Sequence, residues 1–151
     1  MSLLAHRIYL AIALLATAGT LVSSLSLYHH YQKDPTTYCD LGAGFSCDIV
    51  NRSSYSVLLC MPVALIGILG YLSLLALATL YRAKAETPPM LLLLSSAGLC
   101  FALYLTYIEG FVLATWCILC LCSLFLIFAI AVLASVLLLS KLRNPRGQNA
   151  H

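Results

Sequence analysis

Four long stretches of the chain carry almost no charged side chains, and polar segments separate them. A helix that crosses the hydrocarbon core of a bilayer needs roughly 20 predominantly apolar residues. The stretches cover about residues 8–28, 57–81, 90–108 and 112–140. This pattern predicts an all-α fold, in which four transmembrane helices form one bundle and one domain over residues 1–151. The long connection between the first two helices is predicted to be an outward loop, 29–56.

The breaks between the apolar stretches differ in character. Residues 82–89 (RAKAETPP) combine charges with two prolines, whereas only Glu109 and Gly110 interrupt the apolar sequence between the third and fourth spans. We therefore expect the last two helices to pack as a tight antiparallel pair. The first apolar run is close to 20 residues, longer than the roughly 7 to 15 of a signal-peptide core, so we expect a retained helix.

Composition agrees with this membrane assignment. Hydrophobic residues make up 62% of the chain and charged residues 9%, while soluble domains have about 25% charged residues. The net charge of +3 comes from scattered side chains. Because no basic patch with interleaved aromatics is present, we expect no nucleic-acid partner. The lipid bilayer is the predicted environment.

The positive side chains predict the orientation, because cytoplasmic loops are enriched in Lys and Arg. Lys33 and Arg52 fall in the outward loop, and the other Lys and Arg residues fall on the opposite side. These are Arg7, Arg82, Lys84, Lys141, Arg143 and Arg146. Both termini and the 82–89 turn are thus predicted to be cytoplasmic, and the turn at Glu109 is predicted to face outward.

Four of the seven cysteines fall on the predicted outward side. Cys39 and Cys47 lie in the loop sequence CDLGAGFSC, and Cys117 and Cys120 form a C-x-x-C pair at the outward end of the fourth helix. Side chains at i and i+3 share a helix face with about 5–6 Å between Cβ atoms. A disulfide needs about 3.5–4.5 Å, so a modest adjustment would close it.

The position of the C-x-x-C pair favours redox chemistry. A helix N-terminus stabilises anions and lowers the pKa of a nearby thiol, and the thiolate is the form that attacks a disulfide. Gly42 and Gly44 make the segment between Cys39 and Cys47 pliable, so a loop thiol could visit more than one sulfur partner. We therefore interpret the two pairs as a redox exchange system.

Other interpretations remain open from the residues alone. The thiols could form a static disulfide, or they could bind a metal together with His29 and His30. Glu109 is either an interfacial carboxylate at a turn or a proton acceptor beside the redox site. The remaining cysteines are expected to be small buried apolar side chains: Cys60, Cys100 and Cys122.

Two segments carry a resemblance to a known family. These are CDLGAGFSCDIVNRSSYSVLLCMPVALIGILGY (residues 39–71) and YLTYIEGFVLATWCILC (residues 104–120). The loop C-x7-C, the second span with proline and glycine and the C-x-x-C of the last helix follow in that order. In this order of motifs, the chain resembles the bacterial branch of the vitamin K epoxide reductase family. Other quinone-linked, disulfide-forming membrane oxidases carry the C-x-x-C pair before the long-loop pair.

The resemblance implies a role for each cysteine. Cys39 would exchange with the dithiol of a partner protein, and Cys47 would relay electrons through a transient bond to Cys117. Cys120 would be the innermost sulfur, facing a quinone of the ubiquinone, menaquinone or vitamin K type. Ser53 matches a serine near the active site of the family. The implied location is the bacterial inner membrane, with the active site on the periplasmic side.

Two departures from the family pattern qualify this prediction. Animal members have a tyrosine four residues after the second cysteine of the C-x-x-C, where this chain has Leu124. Many bacterial relatives have a fused thioredoxin-like domain, so here a separate thioredoxin-fold (DsbA-like) partner is expected. The predicted function is thiol–disulfide oxidation linked to a quinone. The alternatives are a vitamin K epoxide or quinone reductase of the endoplasmic reticulum type and a Cys/His metal-handling membrane protein.

Overall fold

The computed structural model describes residues 3–31, 46, 50, 57–58, 61–84 and 86–143, and in these ranges the chain forms a helical bundle. The elements are α1 (Leu3–Tyr31), β1 (Val57–Leu58), β2 (Met61–Pro62), α2 (Val63–Thr79), α3 (Thr87–Phe111) and α4 (Ile118–Arg143). β1 and β2 pair antiparallel, Val57 with Pro62 and Leu58 with Met61. The prediction of a helical membrane bundle is confirmed, with this small β-ladder as an addition.

Three of the four helices described are long and apolar enough to cross a membrane, by length and composition: α1, α3 and α4. The fourth, α2, has 17 residues, roughly 26 Å at 1.5 Å per residue, which is just short of a hydrocarbon core of about 30 Å. Many large apolar side chains on the helix surfaces are exposed, including Leu14, Leu93 and Phe125. Helices that are apolar all round suit a lipid environment.

The second helix begins later than the sequence predicts. The expected span starts at residue 57, whereas the helix starts at Val63, after the β-ladder. Pro62 explains the difference, because the residue before a proline is disfavoured in the helical region. Pro62 itself has an extended conformation, with φ −59° and ψ 132°.

The third and fourth helices also differ from their predicted limits. α3 begins at Thr87 rather than 90, because Pro88 and Pro89 are compatible with a first helical turn, where their missing N–H groups would be unpaired anyway. Its other end continues through Glu109 to Phe111. The prediction of a turn at Glu109 is therefore wrong. The last helix, α4, begins at Ile118 rather than at residue 112.

The bundle core forms where α1 packs against α2 and α4, and where α3 packs against α4. Small residues bring α1 and α2 close together. A Cβ added to Gly19 would lie 2.3 Å from Cε1 of Tyr71, and one added to Gly67 would lie 2.8 Å from Oγ of Ser23. The C-terminal half of α1 thus packs on the N-terminal half of α2, so these helices run in opposite directions.

Candidate active site

Cys117 and Cys120 lie at the N-terminus of α4, at the end of the bundle where α3 ends. Cys117 immediately precedes the helix and is fully buried, and its carbonyl accepts a hydrogen bond from the N–H of Leu121 at 3.0 Å. Cys120 lies in the first turn and is half-buried. Both are free thiols. The predicted position of the pair at a helix N-terminus is therefore observed.

The Cys120 thiol and the backbone at the start of α4 lower the pKa of Cys117. The Cys120 thiol donates a hydrogen bond to the Cys117 sulfur, and this is the largest cause that lowers the pKa of Cys117 below its usual value. The backbone N–H groups of Cys120 and Leu119 donate to the same sulfur, whereas burial and the charge of Glu109 act in the opposite direction. A lowered pKa favours the thiolate form of Cys117, and the thiolate is the form of a cysteine that takes part in disulfide exchange.

Glu109 connects α3 to this pair. Its side chain is 2% exposed, and Oε2 accepts a hydrogen bond from the N–H of Cys117 at 3.1 Å. Oε1 is buried and makes no hydrogen bond of standard geometry within the described ranges. The Cys120 thiol also interacts with this carboxylate. Glu109 is therefore a buried carboxylate with polar partners in the cysteine segment, and such partners are needed because burying a carboxylate without them is costly.

The segment between α3 and α4 folds back over the end of α3. Thr115 donates its N–H to the carbonyl of Glu109 at 3.1 Å, and a Cβ on Gly110 would lie 3.1 Å from the ring of Trp116. Ala114 has a positive φ of 48°, a conformation that is strained for a residue with a Cβ. This compact connection brings Cys117 back to the Glu109 side chain.

Two residues of the long loop, Ser46 and Val50, contact the cysteine segment. The N–H of Ser46 donates to the carbonyl of Trp116 at 3.2 Å. Val50 is buried and packs with Cys117 in an apolar cluster that includes Leu113, Leu119 and Cys120. The predicted site residues Cys39, Cys47 and Ser53 lie outside the described residues, as does Cys60. The structure therefore brings together Cys117, Cys120 and Glu109.

A cavity of about 350 Å³ opens between the four helices beside these groups. Its walls are mostly aliphatic, and the lining includes Cys120 and Glu109. Among the described residues, the other polar side chains in its wall are Ser23, Ser26, His30, Tyr71 and Ser123. Sequence reasoning did not identify this lining, because single hydroxyl groups in uniformly apolar helices give no recognisable spacing.

The remaining candidate residues are separate from this site. Cys100 and Cys122 are exposed on the helix surfaces, so the expectation that they are buried is wrong. They lie on faces of α3 and α4 that are suited to lipid. His29 is buried while His30 lines the cavity. In the part of the chain that the structure describes, no group of three or more His, Cys, Asp or Glu side chains could hold a metal ion.

Comparison with known families gives one match that spans most of the chain. Residues 10–135 match the sequence model of the Vitamin K epoxide reductase family. The matched region contains the central parts of the four described helices, the long loop, and the site formed by Cys117, Cys120 and Glu109. The chain therefore belongs to the vitamin K epoxide reductase family, whose members are membrane oxidoreductases that act on quinones or vitamin K.

Proposed function

We propose that this protein is a membrane thiol–disulfide oxidoreductase that supports disulfide formation. It oxidises a thioredoxin-fold partner and passes the electrons through Cys39 and Cys47, then Cys117 and Cys120, to a membrane quinone. Family membership supports the redox activity. The order of the two cysteine pairs, the geometry at the start of α4 and the adjacent cavity support the route.

The observation that carries the proposal is the hydrogen bond between Ser46 and Trp116. Ser46 is the covalent neighbour of Cys47, and Trp116 is the covalent neighbour of Cys117. Consecutive Cα atoms are about 3.8 Å apart, and a disulfide requires Cα atoms at about 4.4–6.8 Å. The bond between the two backbones therefore supports direct exchange between the loop sulfur and the helix sulfur.

In the proposed cycle, a reduced partner converts the Cys39–Cys47 disulfide to a dithiol and becomes oxidised itself. The Cys47 thiolate then attacks Cys117 of the Cys117–Cys120 disulfide, forming a Cys47–Cys117 bond and releasing Cys120. Cys39 attacks Cys47, which restores the loop disulfide and leaves Cys117 and Cys120 reduced. Two electrons and two protons have then moved from the partner to the α4 pair. The lowered pKa of Cys117 makes its sulfur the better leaving group in the last exchange.

Glu109 is suited to hold the proton that reoxidation of the α4 pair must release. Its Oε2 fixes the backbone of Cys117, and its Oε1 has unused acceptor capacity among the described groups. The Cys120 thiol interacts with the same carboxylate. Glu109 can therefore accept a proton from Cys120 as that sulfur bonds to Cys117, without a change in the backbone.

The cavity fits a quinone head group. Pockets for small molecules have volumes of about 300–1,000 Å³, apolar walls and a few polar groups, and this one holds about 350 Å³. Cys120 and Glu109 are both in its wall. When bound, a quinone would accept two electrons and two protons. The chain contributes the sulfur pair, the carboxylate and a cavity with mostly aliphatic walls.

The ends of the bundle support the proposed orientation in a bacterial inner membrane. Arg7, Arg82, Lys84 and Arg143 lie near the start of α1, between α2 and α3, and at the end of α4. Because α1 and α2 run in opposite directions, these positions share one end of the bundle, away from Cys117. An excess of positive side chains marks the cytoplasmic side, so we place the redox site on the periplasmic side.

Quinone reduction by the purified protein with a reduced dithiol donor tests the proposal. Alanine at Cys117 or Cys120 should abolish turnover, and alanine at Cys39 or Cys47 should abolish turnover with a protein dithiol as donor. Cys122→Ala is the matched control, since it removes an exposed thiol two residues from Cys120 in the same helix. A wild-type protein that reduces no quinone, or equal losses in Cys117→Ala and Cys122→Ala, would refute the proposal.

A further inference from the structure

Two hydroxyl groups meet in the cavity wall, beyond Cys120. The hydroxyl of Tyr71 donates to the backbone carbonyl of Ser123 at 2.8 Å, and its oxygen lies 3.0 Å from Oγ of Ser123. Both residues line the cavity that Cys120 and Glu109 line. The redox cycle described above uses neither residue.

The ring of Tyr71 is held in one place. It is 4% exposed, and it occupies the notch that Gly19 leaves in α1, where an added Cβ would come within 2.3 Å of the ring. Long side chains in helices point toward the N-terminus of their own helix. Tyr71 therefore points along α2 toward the end of the bundle that carries Cys117, and its hydroxyl proton is the part left free to reorient.

The hydroxyl pair lies at a defined depth relative to the redox sulfur. Ser123 follows Cys120 by three residues, so the two share a face of α4 and are offset by about 4.5 Å along the helix axis. The oxygen of Tyr71 is hydrogen-bonded at that level. A flat molecule that accepts a hydrogen bond from Tyr71 would thus have its ring in the aliphatic part of the cavity and one edge beside Cys120.

We propose that the Tyr71 hydroxyl donates a hydrogen bond to a carbonyl oxygen of the quinone and so orients its ring toward Cys120, with Ser123 as the positioning residue. The inference rests on the proposed quinone-linked function. The protons balance: the Oγ–H of Ser123 donates to the Tyr71 oxygen, and the Tyr71 proton turns from the Ser123 carbonyl to the quinone carbonyl. One hydrogen bond replaces another, so the pair favours carbonyl-bearing ring systems over purely apolar molecules of the same shape.

Equilibrium binding of menadione and of a short-chain ubiquinone to the full-length protein in detergent tests this role. Tyr71→Phe keeps the ring and removes the donor, so it should weaken binding about two- to tenfold. This range corresponds to about 0.4–1.4 kcal/mol, the contribution of one net hydrogen bond. The infrared C=O stretch of the bound, isotope-labelled quinone should move to higher frequency in this variant. Tyr104→Phe is the matched control, because Tyr104 is exposed on α3 and does not line the cavity.

Ser123→Ala supplies a second test that does not depend on the stability of the Tyr71 variant. It should shift the same C=O band by a smaller amount, since Tyr71 keeps its donor and loses only the positioning contact. Unchanged affinity and an unchanged C=O band in Tyr71→Phe, with the wild type binding both quinones, would overturn the inference and leave the proposed function standing. A wild-type protein that binds neither quinone would overturn the proposed function as well.

Discussion

Replacing Glu109 with glutamine separates the chemical role of this side chain from its structural one. The amide oxygen can still accept the hydrogen bond from the N–H of Cys117, which Oε2 accepts at 3.1 Å. The substitution removes the negative charge and the capacity to take up a proton. Because the packing volume is nearly unchanged in this buried position, we expect the free energy of unfolding to change by less than about 1 kcal/mol.

The expected effect on turnover follows from the loss of the proton acceptor. A positioned general acid or base contributes typically 10²–10⁴-fold, so kcat for quinone reduction should fall at least about 100-fold, or about 2.7 kcal/mol in activation free energy. The Glu109 charge also raises the pKa of Cys117. Its removal should therefore lower that pKa, and alkylation of Cys117 should reach its half-maximal rate at a lower pH than in the wild type.

The assay combines quinone reduction with alkylation of the Cys117 peptide, followed by mass spectrometry across a pH series. Glu86→Gln is the matched control, since Glu86 is an exposed carboxylate in the turn before α3, at the opposite end of the bundle. It should match the wild type in both measurements. The reasoning would be refuted if Glu109→Gln kept more than half of the wild-type turnover, or if its alkylation profile moved to higher pH.

Three further predictions concern packing, backbone strain and the loop pair. Gly19→Ala should lower the free energy of unfolding by about 1–3 kcal/mol, because its Cβ would overlap the ring of Tyr71. Gly70→Ala is the control: a Cβ there meets nothing within 4 Å, so this variant should be neutral or stabilising by up to about 1 kcal/mol. Equal thermal unfolding midpoints for the two variants would contradict this prediction. Ala114→Gly should raise the midpoint, since φ 48° is costly only with a Cβ; a lower midpoint counts against strain at this position. Cys47→Ala should trap the partner on Cys39 as a mixed disulfide on a non-reducing gel, and no adduct should form in a Cys39→Ala control; absence of the adduct in Cys47→Ala would remove Cys39 as the entry point.

The sequence was sufficient to predict the four helices that the structure describes and the position of one sulfur pair. Apolar length predicts the helices, and the place of Cys117 and Cys120 near the start of the fourth apolar stretch predicts a helix N-terminus there, where the structure has them. The start of α2 was predictable in principle, because Pro62 disfavours a helical conformation in the residue before it. These features follow from the residues of one segment, without contacts to other segments.

The features that the sequence could not predict depend on contacts between segments. The sequence alone does not show whether Glu109 ends α3 or lies within it. This depends on the connection that folds back over α3, because that connection brings the N–H of Cys117 to the Glu109 carboxylate. The residues that line the cavity could not be predicted either. Helices that are apolar all round have no periodic pattern that separates interior-facing from lipid-facing side chains. Tyr71 becomes recognisable only when Gly19 and Ser123 are seen beside it.

The most direct test of the account is whether Cys47 and Cys117 bond to each other. In a Cys39→Ala, Cys120→Ala double variant, each pair keeps only its relay sulfur, so the exchange intermediate has no thiol to resolve it. After mild oxidation in membranes, peptide mapping under non-reducing conditions should recover a Cys47–Cys117 disulfide in most of the protein. If both thiols remain open to alkylation, or if Cys47 is instead found bonded to Cys122, the loop and helix sulfurs do not meet and the proposed electron route is wrong.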